Sequence, residues 1–553
     1  MGNPTQGLDA ESLEMVLHAL RDYARDRLTD QRLLELDHED VCPLEIVREM
    51  GSTELGLQLL FIPEEHGGMG GGAFDVYRVC EAMGHIDVGL ATGVLATFLG
   101  SDPIVFGGTE EQKAKWLGRI ADEGLIMAYG ASEPQAGSDL GALRSTATPV
   151  IENGEVTGYR LSGDKQWISN GGFADVYTFL ANAPAGPTWF VIEKGVEGLS
   201  TGKPEDKHGL RLSNTTTVTC DGVLVPKENL VGLVEGQGLA QAQLVFGYTR
   251  LMVAAFGLGA GWAALDRAIP YSTERIAAGG PLSDKQGYTH KHIVPWVVRL
   301  EAGRAYVEET AARIDAGEGA LNTEGAIAKL LTTEAGHAAA DAAIQALGGY
   351  GYTREYMVEK ISRDVRITRI YEGTSEIMEM TIGRDRWQLH LKSRGQHFHE
   401  AAARLEKLHL AHPEVGAGTA ALALHALAEV LEEARKRRST REQHVLFRLG
   451  RLIALGEGAA ALCRRAARMA DGELDPRTDR RFDADGLAAV ARVYARESAH
   501  EVAVDGLRWV VGASPEADAG GFAERLRLAA IIGAQAGLTA DMDHVADIVY
   551  GRR

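Results

Sequence analysis

The pattern of apolar and polar positions changes twice along the chain. From residue 10 to about 125, apolar side chains recur at helical spacing. From about 126 to 232, short β-branched and aromatic runs alternate with turns, which is typical of β-strands. Helical periodicity returns from about 236 to 392. The order of these segments predicts an α+β, mainly helical protein with an antiparallel β domain in the middle.

A further Ala-, Leu- and Arg-rich helical segment follows a loop around Pro413 and Gly416. At 553 residues the chain is too long for one hydrophobic core, so several domains are expected. The predicted domains are an N-terminal helical domain (1–125), a middle β domain (126–235), a helix bundle (236–392) and an additional helical domain (393–553).

The last segment contains a basic, amphipathic stretch at 432–469. A bundle helix with solvated arginines is the simpler interpretation of this stretch. A helix that lies on a membrane surface is the alternative.

Composition narrows the classes of partner. A formal net charge of -20 argues against nucleic acid, whereas a few local cations and helix N-termini still suffice for a phosphorylated small ligand. Four widely spaced cysteines predict reduced thiols. The chain shows no basic and apolar leader and no apolar run of 18 residues, so a cytoplasmic protein without a membrane span is expected. No metal site is expected, because the histidines lack ligand spacing and belong at the surface: His390, His397, His399, His409 and His412.

The strongest candidate for chemistry is the motif IYEGTSEI at 370–377. Glu372 stands directly before Gly373 and Thr374, where the backbone turns and a new helix begins. Such a carboxylate is well placed to act on a ligand. A solvated glutamate at a helix start is the alternative when the motif is taken alone.

Two loops could hold a flavin or a phosphate. AYGASEPQAGSDLGALRS (128–145) offers backbone amides and the hydroxyls of Ser132 and Ser138, although an ordinary surface loop has the same composition. DKQWISNGG (164–172) places Trp167 near Ser169, so an indole could stack on a flavin ring while a hydroxyl reaches its edge. A core tryptophan is the commoner case.

Two helical motifs complete the set. QALGGYGYTREYMVEKISRDVRI (345–367) has paired glycines that could admit a cofactor or mark a helix C-terminus. FGYTRLMVAAFGLG (246–259) contains Arg250 in an apolar helix, where a guanidinium needs an anionic partner from the protein or a ligand.

In this order and at these separations, the five motifs resemble the acyl-CoA dehydrogenase family over roughly residues 35–392. The resemblance implies an N-terminal helical domain, a middle β domain and a four-helix bundle, with FAD between the β domain and the bundle. It implies dehydrogenation of an acyl-CoA thioester at Cα–Cβ to a trans-2-enoyl-CoA, as in the beta-oxidation of fatty acids. Glu372 matches the base that removes the α-proton, and FAD takes the β-hydride.

The resemblance also implies binding residues. Ala278 stands where the family usually has an aromatic residue, so a cofactor contact is lost there or supplied elsewhere. Thr249 stands where some members carry the base, which strengthens the assignment to Glu372. The matches to cofactor-binding positions are Tyr129, Ser132, Gly137, Ser138, Trp167, Ile168, Ser169, Arg275, Gln286, Gln345, Gly348, Gly349, Thr374 and Glu376. The matches to substrate-binding positions are Ser138, Thr249, Arg250, Tyr371 and Gly373.

Electron-transferring flavoprotein is the usual electron acceptor of the family. Longer members with a comparable C-terminal addition are dimers, so a homodimer is expected, without membrane contact. Two other functions stay open: an acyl-CoA oxidase that passes electrons to oxygen, and a non-catalytic acyl-CoA-binding protein that has kept the fold. The sequence does not identify the acyl group.

Overall fold

A computed structural model describes residues 7–512 and 518–552. Residues 1–6 lie outside this description. They belong to the N-terminal segment for which the sequence predicts no leader. The chain forms two compact units. One contains the chain up to Met252 together with Ala312–Leu321, and the other contains Val253–Ala311 and the chain from Asn322 onward.

The first unit confirms the predicted N-terminal helices. Several of them begin where a short polar side chain accepts a hydrogen bond from the first turn, as Asp9, Thr29, Asp87 and Thr109 do. The helices are α1 (Ala10–Arg27), α2 (Asp30–Glu39), α3 (Leu44–Arg48), α4 (Ala73–Ile86), α5 (Val88–Gly107) and α6 (Glu110–Glu123), and α7 (Gly238–Glu274) also begins in this unit.

The predicted middle sheet is also present in the described part of the chain, in the order β1-β4-β2-β3-β7-β6 with β5 beside β4. Most strand pairs are antiparallel, but β4 runs parallel to β1 and β2, so the sheet is mixed rather than purely antiparallel. Both parallel pairs join strands that are not consecutive in the chain, since a tight hairpin can join only antiparallel strands. The strands are β1 (Met127–Gly130), β2 (Thr146–Glu152), β3 (Glu155–Ser169), β4 (Val176–Ala183), β5 (Gly186–Glu193), β6 (Leu199–Thr201) and β7 (Thr215–Pro226).

The core of the first unit lies between helices and sheet. Trp116 of α6 and Trp189 of β5 are almost fully buried in one apolar cluster, together with residues of α5, β1 and β4. Aromatic side chains bury a large apolar area, so this cluster holds the sheet against the helices. The cluster also contains Ala131, Ala136 and Leu143, so the candidate loop after β1 is fixed in position as well.

Two described helices, α5 and α7, are long and apolar enough to span a membrane by length and composition. In the protein, 89% and 88% of their most apolar windows are buried. An apolar helix that is buried all round is the usual core helix of a large protein.

The second unit contains the remainder of α7, a bundle and the C-terminal extension. A small hairpin of β8 (Ile276–Ala277) and β9 (Gly280–Pro281) follows α7. The bundle helices are α8 (Gln286–His292), α9 (Val294–Asp315), α10 (Asn322–Leu347), α11 (Met357–Val365) and α12 (Ser375–Lys392). The extension adds α13 (His397–Ala411), α14 (Ala417–Arg437), α15 (Gln443–Ala470), α16 (Ala484–Gly512), α17 (Ala519–Arg525), α18 (Leu528–Gly533) and α19 (Leu538–Val549).

Helix α15 of the extension packs directly on α12 of the bundle. A Cβ atom at Gly450 of α15 would lie 2.1 Å from the carbonyl oxygen of Glu379, so only glycine permits this approach. Ion pairs join the same elements: Arg386 of α12 donates to Glu457 of α15 at 2.6 Å and to Glu324 of α10 at 3.0 Å. The extension and the bundle therefore form one packed body.

This packing revises two expectations from sequence. The stretch 432–469 is not a helix whose arginines are all solvated, because Arg465 is 2% exposed and pairs with Glu308 at 2.7 Å. Its apolar face is buried, in keeping with a bundle helix rather than a membrane-surface helix. The prediction that all five histidines lie at the surface is wrong for His390, which is 1% exposed and stacks on Trp387.

The contact between α12 and α15 predicts a pH-dependent stability. Burial raises the pKa of the Glu379 carboxyl to about 7, and Arg448 and Arg451 oppose this shift. Between about pH 4.5 and 7 the folded state keeps a proton that the unfolded chain has released. The free energy of unfolding therefore falls as pH rises from about 4.5 to 7. We expect Glu379→Gln to raise the melting temperature at pH 8 and not at pH 5, measured by calorimetry.

Glu400→Gln on the exposed face of α13 is the matched control and should show no such dependence. An equal change of melting temperature at both pH values for Glu379→Gln would contradict this account.

Candidate active site

Glu372 lies in a short irregular segment between α11 and α12. Its φ is 53°, a left-handed conformation that is strained for a side chain other than glycine, and its side chain is half-buried. Gly373 follows with φ of 93°, and a Cβ there would lie 2.5 Å from the Met378 side chain. Two consecutive left-handed residues turn the chain sharply before α12, as the motif predicts.

Two side chains of α10 form hydrogen bonds with this segment. Lys329 is fully buried, and its Nζ donates to the carbonyl oxygen of Gly373 at 2.7 Å. Glu334 accepts from Ser375 at 2.5 Å and from Arg369 at 2.7 Å, which joins both ends of the segment to one carboxylate. The sequence motifs did not point to Lys329 and Glu334. The signal that could have identified them is the presence of two charged residues within an otherwise apolar helix.

The start of α12 is as the sequence predicts. The Thr374 hydroxyl accepts from the Ile377 N–H at 3.3 Å and caps the helix. Glu376 is exposed in the first turn, where hydrogen bonds from its own backbone and from Thr374 lower the pKa of its carboxyl. Tyr371, a predicted substrate contact, lies half-buried directly before Glu372.

In the first unit, the loop after β1 is held by a buried ion pair. Lys165 of β3 and Glu133 of the loop are 0% and 1% exposed, with Nζ and Oε1 2.7 Å apart. Burial by itself raises the pKa of Glu133, but hydrogen bonds from Lys165, Ser145 and Arg144 bring it to about 2. The charged pair fixes the loop against the sheet. Both residues lie inside the two candidate loop motifs, where sequence analysis did not single them out.

A main-chain hydrogen bond beside this ion pair also joins the two candidate loop motifs. The N–H of Gln166 donates to the carbonyl oxygen of Ser132 at 3.0 Å. The register of β3 shifts between Lys165 and Ile168, and at this bulge Trp167 has φ of 64°. Its indole is 63% exposed, so it is not the core tryptophan of the alternative interpretation.

The other predicted residues of this site lie on β1, on the loop after it and at the end of β3. Tyr129 is half-buried with its ring 4.7 Å from that of Trp189, and Ser169 is half-buried while Ile168 is buried. Gly137 and Ser138 are exposed further along the loop. A planar exposed indole in a costly backbone conformation, beside hydroxyl groups, fits a planar aromatic ligand such as a flavin.

Thr249 and Arg250 lie on α7 in the first unit. Thr249 is buried, and Arg250 is 8% exposed. A guanidinium so deeply buried is costly unless an anionic or polar group lies beside it. Such burial is expected of an arginine in an internal ion pair and of an arginine that contacts a ligand.

A separate cavity of about 520 Å³ in the second unit brings together other predicted cofactor residues. Arg275, Gly348 and Gly349 line it, with the Arg275 guanidinium 5.9 Å from the centre of the Tyr350 ring. An aromatic ring therefore stands beside Arg275 although Ala278 is not aromatic. The cavity is also lined by Tyr271 and by Tyr356.

Gln286 and Gln345, which the resemblance implies are cofactor contacts as well, do not line this cavity. The Gln286 amide donates to Asp543 of α19 at 2.8 Å, so a side chain of the extension occupies it. Gln345 is exposed in the last turns of α10. Their assignment stays a prediction from resemblance.

Comparison with known proteins decides the family. Models of the acyl-CoA dehydrogenase N-terminal, middle and C-terminal domains match residues 10–124, 128–223 and 236–386. An acyl-CoA dehydrogenase of Bacillus subtilis (strain 168) is 36% identical over 381 residues, which cover 67% of this chain and 96% of the relative. The chain belongs to the acyl-CoA dehydrogenase family. It is therefore an FAD-dependent oxidoreductase.

Solved structures of this family agree with the architecture. Butyryl-CoA dehydrogenase from Megasphaera elsdenii has a TM-score of 0.64 and 33% identity, covering 68% of this chain and 97% of that chain. An acyl-CoA dehydrogenase from Bacillus anthracis, complexed with FAD, has a TM-score of 0.81 and 23% identity, covering 100% of this chain and 97% of that chain. At that identity the second likeness shows the fold alone, and it includes the extension.

The Glu133–Lys165 pair gives a test of the loop. Glu133→Gln leaves a buried ammonium without its counter-charge, which typically costs about 3–5 kcal/mol. Because the loop then loses its ion pair with β3 and keeps only neutral and main-chain contacts such as the Gln166–Ser132 hydrogen bond, we expect weaker FAD binding as well as lower stability. Urea unfolding of the apoprotein and fluorescence titration with FAD measure the two effects.

Glu235→Gln, which removes a carboxylate bonded to Tyr159 elsewhere in the same unit, is the control. Unchanged FAD affinity in Glu133→Gln, beside a clear loss of stability, would separate the loop from the cofactor site.

Proposed function

We propose that this enzyme dehydrogenates a saturated acyl-CoA thioester to its trans-2-enoyl-CoA, with Glu372 as the base. The observation that carries the proposal is the conformation of the segment around Glu372. A half-buried carboxylate stands in strained backbone, fixed from α10 on one side and followed by a capped helix. Strain of this kind persists where the surrounding structure enforces it, and it concentrates at functional sites.

The residues present fit FAD at two places. Trp167, Ser132 and Ser169 would lie against the isoalloxazine ring, and the hydroxyls would reach its polar edge. By resemblance to the family, Arg275, with the backbone of Gly348 and Gly349, would hold the phosphates and the adenosine portion of the FAD of a neighbouring subunit. FAD, when bound, supplies the acceptor for the hydride that leaves the β-carbon of the substrate.

Glu372 supplies the other half of the chemistry. The α-hydrogen of a thioester is a weak acid, so the negative charge that develops on the carbonyl oxygen needs a hydrogen-bond donor. We assign this role to the backbone N–H of Glu372, while its carboxylate takes the α-proton. The left-handed backbone lets one residue present both groups. Thr249, Arg250 and Tyr371 are assigned to the substrate side of the same reaction.

The electrons must leave the enzyme after each turnover. We propose an electron-transferring flavoprotein as the acceptor, by resemblance to the family, and a homodimer as the assembly, by resemblance to the longer members of the family. Release of hydrogen peroxide in air would instead assign the chain as an acyl-CoA oxidase.

Glu372→Gln tests the proposal. The amide cannot take a proton, so we expect the maximal rate of flavin bleaching to fall by about 10²–10⁴-fold while FAD stays bound. Stopped-flow absorbance with a panel of straight-chain thioesters, from butyryl-CoA to palmitoyl-CoA, gives this rate and identifies the preferred acyl length.

Glu400→Gln, the same chemical change at an exposed position of the same unit, should bleach at the wild-type rate. Fast bleaching by Glu372→Gln would place the base elsewhere, and a colourless protein that refuses FAD would remove the proposed function altogether.

A further inference from the structure

We propose that Lys329 is a positioning residue for Glu372, an inference that rests on the proposed function of that glutamate. Lys329 does not belong to the segment that carries Glu372. It lies on α10, 43 positions earlier in the chain, and it reaches the segment through the carbonyl oxygen of Gly373. The side chain acts on the peptide group between Gly373 and Thr374, one residue beyond the base.

The burial of Lys329 shows how firmly this contact is made. Its side chain is fully buried, and Nζ lies 2.7 Å from the Gly373 oxygen. Lysine is almost never fully buried without polar partners, because an ammonium group loses its hydration there. A hydrogen bond from a charged donor is shorter and stronger than one between neutral groups. The carbonyl of Gly373 therefore has one strongly preferred orientation.

The conformation of the segment explains why that orientation matters. Glu372 and Gly373 are both left-handed, so neither lies in a helix or a strand that would fix it. The Gly373–Thr374 peptide joins the segment to α12, so a change in the φ and ψ of Gly373 would move Glu372 relative to that helix and redirect its side chain and its N–H. Lys329 fixes the carbonyl end of this peptide, while Thr374 fixes its other end as the cap of α12.

Small movements of a base have large effects on rate. A displacement of about 1 Å can cost on the order of 10²-fold in rate without loss of binding. The lysine also places its ammonium group at the main chain of the residue that follows the base, and a cation in the neighbourhood of a carboxylate favours the ionised form of that carboxylate. Lys329 therefore sets both the direction and the ionisation of the base.

A purely structural role is the competing explanation. In that case Lys329 would stabilise the packing of α10 against the segment, and its loss would lower the melting temperature without changing the rate of the remaining folded flavoprotein. Lys360 of α11 offers a matched comparison in the same unit. It is also fully buried, and it pairs with Asp364 at 2.5 Å.

The experiment compares Lys329→Met with Lys360→Met as purified holoenzymes. Stopped-flow bleaching with the best thioester of the panel gives the maximal rate and the substrate Kd at several pH values. We expect Lys329→Met to lower the maximal rate by about 10–100-fold, with Kd changed less than about threefold. We also expect the acidic limb of its pH–rate profile to move to higher pH. Lys360→Met should keep the wild-type rate and profile per bound flavin.

Lys329→Gln serves if the methionine variant does not fold. Its amide is polar but uncharged and shorter than lysine, so the rate and the acidic limb should change in the same directions. A wild-type rate and profile in either folded variant, or a loss no larger than in Lys360→Met, overturns the inference.

Glu372→Gln is measured in parallel and separates two failures. If Glu372→Gln is inactive and the Lys329 variants are not, only the positioning role is wrong. If Glu372→Gln bleaches at the wild-type rate, the base is elsewhere and both proposals are wrong.

Discussion

The conformation of the segment at Glu372 depends on contacts from outside it. Its left-handed backbone offers no regular ladder of hydrogen bonds, so neighbouring elements must hold the chain in place. Lys329 and Glu334 of α10 supply the hydrogen bonds, and α12 begins at the next cap. The candidate base is therefore presented by helix packing rather than by the local preference of its own residues.

In each unit, a buried lysine forms a hydrogen bond with an irregular segment of the chain. Lys165 holds the loop after β1 through Glu133, and Lys329 holds the segment before α12 through a main-chain carbonyl. The first partner is a charged side chain, so the pair is a salt bridge. The second is a backbone oxygen, so the orientation of a peptide plane is what the lysine determines. Burying a charge costs free energy, and at both sites the buried lysine lies against an irregular segment of the chain.

Periodicity and motif order predicted the succession of helices, sheet and helices, because those signals are local. The position of α12 after Glu372 was likewise predictable from Gly373 and Thr374. The parallel pairing of β4, by contrast, depends on how distant strands meet, which the alternation of residues does not encode. The roles of Glu133 and Lys329 could not be predicted for the same reason. What a charged side chain binds is known only when its partner, which is distant in the chain, has been located.

The close approach at Gly450 gives the extension a thermodynamic role. Helix α15 touches the backbone of the helix that begins beside the candidate base, with no side chain between them. Two helices joined in this way share their fluctuations, and local opening of one removes the support of the other. Residues far outside the family core thus contribute to the rigidity of the segment at Glu372. A shortened chain that ends after α12 would expose that helix surface to water and lose this restraint.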